Sequence, residues 1–112
     1  MLLIMEENIT PFQKKIYGLL KTIPAGKVTT YKYLAQAVGI NCALAVGQAL
    51  KRNPFAPDVP CHRVIASDLS LGGYAGARSG KLVKKKKDLL EAEGVTFVGN
   101  YLKDSEIVCK PR

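Results

Sequence analysis

At 112 residues the chain can build one modest core and is too short for two domains of ordinary size, and its 47% hydrophobic content suits a single folded unit spanning residues 1–112. Seventeen Lys and Arg against nine Asp and Glu leave a formal net charge of +8, a field that attracts polyanions such as nucleic acid or an acidic membrane surface but is silent on fold. The apolar start Met1–Met5 is too short for a signal h-region or a membrane span and runs straight into Glu6 and Glu7, so the expectation is a cytoplasmic protein with no membrane contact.

Thr10-Pro11-Phe12-Gln13 has the form of a helix start: a Thr cap, Pro at the first helical position and Gln completing a capping box. Phe12, Ile16, Leu19, Leu20 and Ile23 recur at helical spacing up to Pro24, and Ala25-Gly26 reads as a turn. Thr29 or Thr30 can cap a shorter helix carrying Leu34, Ala35 and Val38, closed by Gly39. A third helix starts near Asn41, turns Ala45, Val46, Ala49 and Leu50 inward, and stops before Pro54. Two short helices about a Gly-containing turn make a helix-turn-helix, the second being the recognition helix.

Beyond the extended stretch "FAPDVP", Val64–Ala66 and Leu71–Tyr74 flank the polar turn Ser67–Ser70 and predict a β-hairpin or wing. A last helix spans Lys81 to Glu93, with Leu82, Val83, Leu89 and Leu90 inward, Lys84–Lys87 on solvated turns and Gly94 at its end. Val95, Phe97 and Val98 suggest an edge strand. The predicted architecture is mainly α with a small β-hairpin, a winged helix-turn-helix.

The thiols are Cys42, Cys61 and Cys109, an odd number without a C-x-x-C pair, and only one histidine accompanies them. That pattern fits reduced cysteines and no zinc site. The histidine, His62, follows Cys61 directly and precedes Arg63. A nucleophilic cysteine must ionise, which a nearby base or positive charge promotes. Adjacent side chains in an extended segment face opposite ways, however, so contact needs a turn or a bridging water. By spacing alone Cys61 is either core filler or chemistry.

"PCHRV", with Asn53 of "RNP" eight residues before the cysteine, "GKVTTYKYLA" upstream, and "GGYAG" and "LLEAEG" downstream, closely resembles the O6-alkylguanine-DNA alkyltransferases from about Phe12 to Gly94. The resemblance implies a protein that binds duplex DNA, flips an O6-alkylguanine out of the stack and moves its alkyl group to Cys61, once and without a cofactor. His62 would deprotonate the thiol through a water, and Glu93 would orient the imidazole. Tyr31 would donate a proton to N3 of the base, and Asn53 would hold the active-site loop. Arg63, Val64, Tyr74 and Ala75 would border the guanine, with main-chain groups reading it, and the protein would act as a monomer.

Three positions depart from that pattern. Leu44 stands where the family usually has an arginine that enters the stack, leaving Lys51 or Arg52 for phosphate contacts. Ala75 stands where a serine hydroxyl often faces the guanine oxygen, and "ARSGKL" lengthens the segment before the last helix. Two rival readings remain at this point. An alkyltransferase-like protein would grip the lesion without transfer, although such relatives lack the acceptor cysteine; a winged-helix regulator would not need Cys61, Tyr31 and Glu93 together.

Overall fold

The computed structural model describes residues 9–53, 59–72 and 80–111. It is mainly helical, with small sheets between the helices. Helix α1 (Pro11–Leu20) starts as its sequence dictates: the Thr10 hydroxyl accepts from the Gln13 amide at 3.1 Å, and the Gln13 carboxamide accepts from the Thr10 amide at 2.7 Å. Helix α2 (Tyr31–Ala37) is capped by Thr30, whose hydroxyl accepts from the Tyr33 amide. Gly39 turns the chain with a positive φ, and helix α3 (Ala43–Lys51) follows. Tyr17 of α1 donates its hydroxyl to the Ala49 carbonyl at 2.7 Å, engaging a carbonyl in the last turn of α3 and fixing the two helices together.

Strand β1 (Thr29–Thr30) and strand β2 (Val64–Ile65) pair in parallel, Thr29 opposite Val64 and Thr30 opposite Ile65. Val28 extends this ladder through a parallel bridge to Val108. Successive residues of a strand face opposite sides, and β2 uses both. Val64 enters a core with Ile16, Leu20, Leu34, Val46 and Leu50, whereas Ile65 enters a second with Val28, Leu71, Leu90, Val95 and Leu102. Full burial of each such side chain contributes roughly 1.5–3 kcal/mol, so the two-residue ladder is held by its side chains more than by its own hydrogen bonds.

Helix α4 (Lys81–Ala92) ends at Glu93, its C-cap, because Gly94 takes φ +93° and the Val95 amide returns to the Leu90 carbonyl at 3.0 Å. Strand β3 (Phe97–Val98) then turns through Gly99 and Asn100 into antiparallel strand β4 (Tyr101–Leu102). Val64 and Ile65 pair with Thr29 and Thr30, and Ser70 bridges Tyr101; Gly73 and Tyr74 of the expected hairpin lie outside the described residues. Two details differ from the sequence expectations. Leu82 is 41% exposed instead of packed inward. Lys86, expected on a solvated turn, is 0% exposed, because it follows Val83 by three positions and precedes Leu90 by four, on the inner stripe of α4.

Candidate active site

Cys61–Arg63 form a single 3-10 turn between the buried Val59–Pro60 and β2. The Cys61 amide donates to the Val59 carbonyl at 2.9 Å, and the Arg63 amide to the Pro60 carbonyl at 3.0 Å. A 3-10 turn separates successive side chains by about 120°, which removes the opposition that an extended segment would impose on Cys61 and His62. Cys61 is partly exposed, whereas His62 is only 4% exposed.

His62 and Glu93 meet at 3.0 Å, Nε2 to Oε2. Arg63 closes on the same carboxylate with two bonds, Nε to Oε1 at 3.0 Å and Nη2 to Oε2 at 2.6 Å, and its Nη1 donates to the Ile23 carbonyl at 2.8 Å. The Arg63 hydrogen bond is the largest influence holding the Glu93 carboxyl below its ordinary pKa; burial opposes it, and His62 adds to the lowering. An ionised carboxylate only accepts. Nε2 of His62 must therefore carry the hydrogen, which leaves Nδ1 as the lone-pair nitrogen of the neutral ring.

Asn53, just beyond α3, donates Nδ2 to the Val59 carbonyl at 2.9 Å. That oxygen is also the acceptor for the Cys61 amide, so one carbonyl ties the end of α3 to the thiol-bearing turn. Tyr31, the first residue of α2, lies against Gly72: a Cβ there would sit 3.2 Å from Cε2 of the Tyr31 ring. Gly72 also has φ +70°, so both conformation and space favour glycine. Burial, followed by the charge of Cys61, pushes the Tyr31 phenol up to about 12, keeping it protonated at neutral pH.

On α3, Leu44 is 68% exposed, and Gln48 and Lys51 are exposed behind it. Their spacing of four and then three residues aligns them on one face, opposite the buried Val46, Ala49 and Leu50. Arg52 is exposed at the C-cap of the same helix. A thiol, an imidazole–carboxylate pair, a neutral phenol and an outward helix face are thus the functional parts gathered by the described residues.

A family model described as the DNA-binding domain of 6-O-methylguanine DNA methyltransferase matches residues 11–95. The chain belongs to this family. Among the 6-O-methylguanine DNA methyltransferase relatives, a methylated-DNA–protein-cysteine methyltransferase of Thermococcus kodakarensis is 47% identical over 90 residues, covering 80% of this chain and 48% of that protein. A constitutive methyltransferase of the same description from Bacillus subtilis is 42% identical over 94 residues, covering 83% and 54%. The chain spans about half the length of these curated relatives.

Two solved structures compare as follows. The O6-methylguanine-DNA methyltransferase of Pyrococcus kodakaraensis superposes with a TM-score of 0.67 at 46% identity, covering 78% of this chain and 48% of that one. Atl1 of S. pombe, in complex with damaged DNA containing O6-carboxymethylguanine, gives a TM-score of 0.77 at 34% identity and covers 93% and 99%.

Within the methyltransferase family domain, the structure brings His62, Arg63 and Glu93 into direct contact, and links Asn53 to the turn that carries Cys61. Arg63 was expected beside the guanine; its guanidinium faces inward to Glu93 and Ile23. The Val64 side chain is wholly buried in the core. Leu44, Lys51 and Arg52 stand apart on α3, and Tyr74 and Ala75 lie outside the described residues. Among the described residues no group of three or more His, Cys, Asp or Glu is placed to hold a metal ion, and no helix is long and apolar enough to cross a membrane. Sequence reasoning missed Lys86, whose Nζ donates to the Leu71 carbonyl and lies 5.8 Å from the centre of the Tyr31 ring; its phase with Val83 and Leu90 was the available signal.

Proposed function

We propose that this protein repairs duplex DNA by moving an alkyl group from O6 of guanine to Cys61, once per molecule. The observation that carries the reading is the His62–Glu93 contact beside Cys61, in a chain of the methyltransferase family. With Nε2 on Glu93, Nδ1 of His62 takes the thiol proton through a water. The Cys61 thiolate attacks the alkyl carbon in line, and the carbon–O6 bond breaks as the carbon–sulfur bond forms. The electron pair returns to the guanine ring, whose N3 takes the proton of Tyr31. The proton held by His62 restores the phenol through solvent. A thioether offers no good leaving group, so the reaction stops there and needs no cofactor.

The alkylated base must leave the stack to reach Cys61. On this reading α3 is the recognition helix, the segment about the Ser67–Ser70 turn serves as the wing, Leu44 is an apolar wedge at the vacated step, and Lys51 and Arg52 face phosphates. The main chain near Cys61 and Val64, together with Tyr74 and Ala75, borders the flipped guanine, and Arg63 supports Glu93. The protein works as a monomer, and a reducing cytoplasm keeps its acceptor thiol free.

A second reading, lesion binding without transfer, draws on the near-complete mutual coverage with Atl1 and on Leu44. The presence of Cys61 favours transfer. Cys61→Ala, assayed for binding to an O6-methylguanine duplex and for methyl uptake, is expected to bind within about twofold of wild type and to take up none. Wild-type protein that binds the duplex yet leaves the lesion intact would establish the binding-only reading.

A further inference from the structure

The two residues that follow Tyr31 in α2 open onto a cleft of about 250 Å³, lined by Lys32 and Tyr33, by Ser67 and Leu69 of the turn after β2, and by Ser105 and Val108 near the C-terminus. It is smaller than the roughly 300–1,000 Å³ that encloses a drug-sized molecule. Ser105 and Val108 lie beyond residues 11–95, the part of the chain that the family model matches. They are nonetheless tied to the site's own framework. The Val28 amide, next to β1, donates to the Ile107 carbonyl at 3.1 Å, and the Val28 carbonyl accepts from the Cys109 amide at 2.8 Å.

The groups around this cleft are donors in search of an acceptor. Lys32 is exposed and makes no ion pair among the described residues. The same holds for Lys110, whose Nζ lies 5.4 Å from the centre of the Tyr33 ring. The hydroxyls of Tyr33, Ser67 and Ser105 have no hydrogen-bond partner among the described residues either. None of the nearby acids, Asp68, Asp104 and Glu106, lines the cleft. Asp68 accepts from the amide and hydroxyl of Ser70, and Asp104 from the Glu106 amide. Ammonium and hydroxyl donors beside the apolar Leu69 and Val108 suit a ligand that is anionic, accepts hydrogen bonds and has an apolar side. A phosphate with its deoxyribose meets all three conditions.

We propose that this cleft is a backbone subsite for duplex DNA, built in part by the C-terminal segment: Lys32, Ser67 and Ser105 hold a phosphate, and Leu69 and Val108 cover the adjoining deoxyribose. A base leaves the stack by rotation about its backbone, and a phosphate gripped one residue away from Tyr31 fixes the pivot for that rotation. The inference rests on the chain binding duplex DNA, but not on transfer to Cys61.

Wild type, Lys32→Met, Ser105→Asp and Lys85→Met are titrated by fluorescence anisotropy against an O6-methylguanine duplex from about 50 to about 200 mM salt. Lys85→Met removes the same charge as Lys32→Met from an exposed position outside the cleft. Thermal melts establish that each variant is folded. Lys32→Met is expected to weaken binding by roughly three- to tenfold and to make the slope of log K against log salt shallower by about 0.9, the signature of one lost phosphate contact. Lys85→Met should leave the slope as in wild type. Ser105→Asp sets a carboxylate against the phosphate and should weaken binding at least as much as Lys32→Met.

A single uncharged methylphosphonate is then moved through the linkages around the lesion. One linkage should weaken wild-type binding by a similar factor and cost Lys32→Met nothing, because the two groups it would uncouple are already apart. A wild-type salt slope in Lys32→Met, or the absence of any linkage whose effect depends on Lys32, would overturn the proposal. If both dependences hold but Cys61 takes up no methyl group, the subsite stands and the transfer reading falls. Wild type that fails to bind the duplex would sink both.

Discussion

Glu93 receives two side chains at once, and the stronger of them is not the histidine. Arg63 binds it through two guanidinium nitrogens and keeps it ionised, which fixes the hydrogen of His62 on Nε2 and leaves Nδ1 as the ring's lone-pair nitrogen. The arginine of "PCHRV" thus contacts the partner of His62, where the family resemblance implied a place beside the guanine. Lys86 makes the complementary point about charge and burial. Its folded-state pKa, lowered by burial to about 7, lies below the ordinary lysine value of 10.5, so between these values the unfolded chain binds more protons. Stability should therefore rise with pH through that window. Urea denaturation of wild type is expected to gain about 3 kcal/mol from about pH 7 to about pH 9.5 relative to Lys86→Met; parallel pH dependences would contradict the burial of a titrating ammonium.

At the scale of elements, legibility followed how local each signal was. The capping box of α1, the Thr30 cap of α2 and the positive-φ glycines at 39 and 94 are set by a few neighbouring residues, and all appear where the sequence indicates. Strand pairing was not legible. Two-residue strands carry no period to read, and β2 pairs with β1 across the intervening helices because Val64 and Ile65 complete two different cores. The lysine run failed for a related reason: composition suggested solvent, but helical phase decided burial for Lys86. The exposed face of α3 supports a test of its own. If Leu44 is a wedge that lacks a hydrogen-bonding end, Leu44→Arg should tighten binding to a lesion duplex by roughly three- to tenfold, through polar contacts that an apolar wedge cannot make. Fluorescence anisotropy measures this, and unchanged affinity would place Leu44 outside the DNA contact.

Across the whole molecule the candidate active site lies where the two cores meet. Val59 and Val64, on either side of the Cys61–Arg63 turn, pack into the first core, Ile65 enters the second, and Glu93 reaches the turn from the end of α4. Residues that were separate motifs in the sequence are thereby fixed by burial that the chain needs for folding, and the net charge of +8 supplies a field suited to drawing in DNA. Of the residues that the family motifs picked out, the structure joins His62 to Glu93 and ties Asn53 to the turn that carries Cys61; the inward turn of Arg63 and the buried ammonium required the tertiary structure. The central claim is transfer to a single acceptor, and peptide mass spectrometry after incubation with excess O6-methylguanine duplex tests it directly. The account predicts one methyl group per molecule, on the Cys61 peptide, with no further uptake or turnover as more duplex is added. Demethylation that continues past one equivalent, or a methyl group on Cys42 or Cys109 with Cys61 unmodified, would contradict it.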